Sequence, residues 1–129
     1  MGNSYYDVKK RLIWNLEIRE MTSDIIEKQQ SIEDIEHIIS KLKEIRKTLK
    51  YQIKEIEEKI NDSILDSQEP TAEIIVDIQK MKEIVKQQKE KRKEVKQMIK
   101  RYKENKKIMK YTLMQEKKGR NSAIDDLEL

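Results

Sequence analysis

Residues 18–60 read IREMTSDIIEKQQSIEDIEHIISKLKEIRKTLKYQIKEIEEKI, and their spacing decides how this chain folds. With Ile18 at heptad position a, the a series continues Ile25, Ile32, Ile39, Arg46, Ile53, Ile60. The d series, begun one step earlier, runs Trp14, Met21, Lys28, Ile35, Leu42, Leu49, Ile56. Apolar residues recurring in alternating steps of three and four place one stripe along one face of a helix. Only Lys28 and Arg46 interrupt the stripe. A disordered polar chain has no reason to hold such a phase, whereas a helix that packs against another helix does.

Working outward, Ser4 and Asp7 have capping-box spacing, which predicts a helix beginning near Tyr5. The segment NDSILDSQEPT, residues 61–71, predicts that this helix closes near residue 62 and that a turn occupies about 63–70. Pro70 suits the first turn of a second helix, where its missing N–H is not needed. That helix, predicted over about 71–118, has d residues Ile74, Met81, Gln88, Val95, Tyr102 and Met109. Its a residues are Ile78, Val85, Arg92, Ile99, Lys106 and Leu113. Gly119 is a favoured stop, so residues 119–129 are expected to form a disordered acidic tail.

The fold expected is all-α, a long antiparallel two-helix coiled-coil hairpin over 1–118, associating into a larger helical bundle. Folding about residue 67 sets Ile60 against Ile74 and Leu49 against Val85. It also sets Arg46 against Gln88 and Lys28 against Lys106, with Arg92 opposite Leu42. Matched polar layers of this kind fix register at some cost in stability.

Composition narrows the function classes. Charged residues are 42% of the chain and aromatics 5%, with no Phe, two Gly and one Pro, so a compact globular core is not expected. Without cysteine there is no disulfide, thiolate metal site or cysteine nucleophile, in keeping with a cytoplasmic or other intracellular setting. No apolar run reaches the length of a membrane span. No phosphate-binding glycine loop or nucleophile elbow occurs, and the lone His37 falls at an outward f position. No enzyme activity, catalytic residue, cofactor, metal site or small-molecule substrate is therefore expected. Trp14 and Tyr102, both at d, read as core or end-plug residues, while Tyr51 and Tyr111 at f read as surface.

Two edges beside the seam carry information. The e positions of helix 2 are Lys82, Lys89, Lys96, Lys103, Lys110 and Lys117. Between Lys80 and Arg120 there are 17 Lys or Arg against five Glu, a local net of +12 inside an overall +4. In the expected register Lys82 reaches Glu57 and Lys103 reaches Glu36, but Lys89 faces Lys50 and Lys96 faces Lys43. This basic edge is a candidate site for an acidic protein or a nucleic-acid backbone. Lysines outnumber the six arginines and no aromatics interleave, so base readout is not expected. On the other edge Ile38, Ile45, Ile84 and Met98 at g, with Ile108 at c, widen the apolar face. They form a candidate helix-docking interface, for self-association or a protein partner.

Residues 11–20, RLIWNLEIRE, resemble the start of the stalk hairpins of flagellar and type III export machines. The resemblance implies a basic antiparallel hairpin between an export ATPase and its gate, with chaperone contacts. The residues themselves point to a non-enzymatic scaffold or adaptor acting through protein–protein contacts. The alternatives are a sequence-nonspecific nucleic-acid-binding accessory protein and a component or small substrate of a protein export machine.

Overall fold

The computed structural model describes residues 2–128, and the side chains of residues 7–126. It is an all-α helical hairpin: α1 spans Gly2–Asp66 and α2 spans Ala72–Glu128. The chain divides into a turn-proximal unit, Ile38–Tyr102, and a terminal unit of Met1–His37 with Lys103–Leu129.

In the turn-proximal unit the two helices run antiparallel and close on an aliphatic seam. Ile53, Ile60 and Val85 are buried together, with Ile56, Ile78 and Met81 packed on them. Ile39, Leu42, Leu49 and Ile99 are also buried. All of these are a or d residues, and each aliphatic side chain removed from water contributes roughly 1.5–3 kcal/mol. In the terminal unit Ile25, Ile32 and Leu113 form the buried cluster, with Met109 against it. Met21, a d residue, stays 37% exposed.

The turn is shorter than expected. Residues 67–71 connect the helices, because α1 runs on to Asp66 through Asn61, Asp62 and Ser63. These residues cost a helix only tenths of a kcal/mol each, and no glycine or proline intervenes before Pro70. Pro70 lies outside α2 rather than in its first turn. Thr71 is the N-cap: its Oγ1 accepts from the Ile74 N–H at 3.3 Å. At the other side of the turn the Ser67 hydroxyl donates to the Ile64 carbonyl at 3.4 Å.

Both chain ends extend beyond the expected limits. Ser4 lies inside α1, which begins at Gly2, and its side chain lies outside the described residues. Residues 119–128 are helical, not a disordered tail. Gly119 does not act as a stop: its φ is not positive, so the backbone needed to cap the helix there is absent. The seam instead continues past it, with Glu116, Arg120 and Ala123 partly buried at the next d, a and d positions. Ala123 shares a cleft with Trp14 and Ile18. Packing against α1 thus outweighs the roughly 1 kcal/mol helix penalty of one glycine.

The register also differs from expectation, by one heptad. Glu57 pairs with Lys89 at 3.0 Å rather than with Lys82, and Glu36 meets Lys110 at 3.9 Å rather than Lys103. Lys28 pairs with Glu116, not with Lys106. The point of reversal, midway between Asp66 and Ala72, is residue 69 rather than 67. Partners across a hairpin move by twice that displacement, and the register that keeps both apolar stripes facing is then the next one along.

Two outcomes follow. Lys28→Glu should destabilise the hairpin by about 1 kcal/mol, since it sets a second carboxylate beside the half-buried Glu116, and Glu116→Lys should restore stability. Thermal unfolding followed by circular dichroism measures both; opposite Lys106, the same Lys28→Glu change would stabilise instead. Gly119→Ala should stabilise by about 0.5–1 kcal/mol, because an added Cβ meets nothing within 4 Å and φ is helical. At a left-handed stop it would destabilise.

Candidate functional site

The residues that break the seam organise the surface chemistry. Arg46 and Arg92, each at an a position, enter the same groove from opposite helices. Both are half-buried, as expected of long cationic side chains at seam positions. Lys43, Lys47 and Lys50 from α1 and Lys96 from α2 complete the lining of this groove, whose volume is ≈ 610 Å³. The four lysines are exposed. No acidic residue lines the groove.

A second groove in the turn-proximal unit, ≈ 400 Å³, is lined by Lys82, Val85, Lys86, Lys89, Glu90 and Lys93. It differs in kind, because Glu90 lines it and Lys89 is engaged by Glu57. Of the expected basic-edge residues, then, Lys43, Lys50 and Lys96 share the first groove, and Lys82 and Lys89 share the second. In the terminal unit Lys110 shares Glu36 with Lys106, the latter at 3.2 Å. Lys103 is exposed and Lys117 partly buried.

The expected facing of Lys89 and Lys50 is corrected by the heptad displacement, since Lys89 pairs with Glu57, whereas Lys96 still shares a groove with Lys43. Lys96, not Lys89, shares a groove with Lys50. Self-repulsion at the middle of the edge remains and is concentrated by the two arginines. In the sequence Arg46 and Arg92 read only as seam breaks, one opposite Gln88 and the other opposite Leu42. The signal available was that both occupy a positions one helical turn apart across the seam.

The apolar-edge residues are exposed where expected. Ile38, Ile45, Ile84 and Met98 in the turn-proximal unit are 38–48% exposed, and Ile108 in the terminal unit is 64% exposed. The aromatic residues follow their heptad positions: Trp14 and Tyr102 are partly buried, and Tyr51 and Tyr111 exposed. Lys10 lies over the Trp14 ring, its Nζ 5.3 Å from the centroid, a cation–π contact. His37 is exposed. Among the described residues no group of three or more His, Cys, Asp or Glu could hold a metal ion, and no helix is long and apolar enough to cross a membrane.

Like charges at the seam oppose the fold that holds them. Replacing Arg46 and Arg92 together by Leu should raise stability, on the order of 1 kcal/mol per site, by extending the apolar seam and removing repulsion from the neighbouring lysines. Urea unfolding at low salt measures the gain; a lower midpoint would mean the arginines support the free hairpin.

No protein-family model matches the chain, and neither the curated proteins nor the solved structures include a match to it.

Proposed function

We propose that the chain is a non-enzymatic coiled-coil scaffold or adaptor that acts through helix docking. The observation that carries this reading is the row of apolar side chains beside the seam. Ile38, Ile45, Ile84 and Met98 stand at g positions, which in antiparallel helices run along one edge, and all four are more than a third exposed. Two helices alone can cover only the a/d line. A further helix, from a second copy or another protein, would cover the g line and form a larger bundle. The basic edge opposite would hold an acidic partner, attracted over a distance and released by salt.

The resemblance of residues 11–20 to export stalks adds a setting in which a basic hairpin bridges two larger components. The nucleic-acid reading has less behind it. Of the e-position lysines on α2, Lys89 and Lys110 already face glutamates that would repel a phosphate backbone.

Replacing Ile38 and Ile45 by Glu tests the docking edge. The wild-type chain should sediment as an oligomer, and the double variant as a single hairpin with its helicity kept, because neither side chain belongs to the buried seam. A wild-type chain that is monomeric at every concentration, and retains no partner after nuclease treatment, would remove the basis of this reading.

A further inference from the structure

Charge is distributed unevenly over this molecule, and one place concentrates it. Lys43, Arg46, Lys47, Lys50, Arg92 and Lys96 converge on one groove from two helices. Among the described residues none of the six forms a salt bridge. On a helix, neutralising partners come from three or four residues away. For these six, every such neighbour is uncharged or basic except Glu44, three residues before Lys47. The hairpin therefore does not neutralise this cluster from within. Four other lysines, Lys28, Lys89, Lys106 and Lys110, each face a glutamate.

We propose that this groove is a binding site for a compact polyphosphate, an anion carrying several phosphate groups within a short span. Arg46 and Arg92, half-buried at a positions, would form the floor of the site. Their planar forks suit bidentate hydrogen bonding to phosphate oxygens. The exposed Lys43, Lys47, Lys50 and Lys96 would close around the ligand as point charges. The size of the site sets the class of ligand. Lys43 and Lys50 are about 10 Å apart along α1 at 1.5 Å per residue. The e positions beyond them on α1 are Glu36 and Glu57, so the basic run ends in acids in both directions. A long polyanion would meet those carboxylates, whereas a compact one would not. The absence of a carboxylate in the lining also argues against a cation or zwitterion as ligand. Binding would remove the repulsion that the free hairpin tolerates, so ligand and fold would stabilise each other.

This inference rests on reading the basic edge as an anion-binding surface and narrows that reading to one groove. Its test is calorimetric titration of the full chain with inorganic tripolyphosphate and with inositol hexakisphosphate at about 0.15 M salt. Orthophosphate and a short duplex DNA serve as comparison ligands. Both polyphosphates should saturate one site per chain and bind on the order of tenfold or more tighter than orthophosphate. Arg46→Gln with Arg92→Gln should weaken them on the order of tenfold, and Arg46→Lys with Arg92→Lys by less, because charge is kept and the fork lost. Circular dichroism confirms that each variant is helical. Lys86→Gln with Lys93→Gln removes two charges from the neighbouring groove and should change affinity by less than about twofold. Equal losses from the two sets of variants would reduce the groove to diffuse charge and overturn the proposal. Duplex binding without polyphosphate binding would overturn the proposal yet leave the basic edge as an anion-binding surface. Failure of both ligands would remove that broader reading as well.

Discussion

A pair of helices has one seam to bury, and every other feature of this molecule follows from that scarcity. Among the described residues no side chain is fully buried, and the buried ones are all aliphatic members of the a/d line. Isoleucine supplies most of them: Ile25, Ile32, Ile39, Ile53, Ile60 and Ile99. With so narrow a core, a polar residue in the line cannot be enclosed and hidden. It must reach out to water or find a partner across the seam.

The hairpin uses both solutions. Lys28 and Lys106, seam residues on opposite helices, reach Glu116 and Glu36. Such half-exposed pairs contribute little stability, typically 0–1 kcal/mol. They still discriminate between registers, because a displaced register would set like charges together. Arg46 and Arg92 are different. Their neighbours across the groove are cations, so the same alignment that satisfies Lys28 gathers six basic side chains in one place. The part of the molecule best suited to meet a ligand is the part where the fold leaves charge unbalanced.

How much of this was legible in the sequence depends on the range of the interaction concerned. The seam residues of α1 could be read one by one, because a side chain's face on a helix depends only on its position modulo the helical period. Exposure of Ile38, Ile45, Ile84, Met98 and Ile108 was legible for the same reason. The end of α2 was misread because Gly119 and the polar Glu116 and Arg120 look like a helix giving out. Locally they are, but Trp14 and Ile18 on α1 provide a surface on which the helix continues. The basic groove was only half visible: its lysines stood out as a row, while its arginines looked like flaws in the core.

The sequence by itself determined two helices, the face each one buries, and the excess of cations on the second. Those properties are local, set by a periodic pattern and by residue identity. Only the tertiary structure decided which residues meet across the seam. A heptad repeat is self-similar, so sliding one helix by seven residues restores the same apolar match. The choice among such registers falls to a short turn, Thr71 capping α2, and to a few charged residues whose energies are small. That choice places Lys28 beside Glu116 and Lys89 beside Glu57, and with them the surface this protein presents to others.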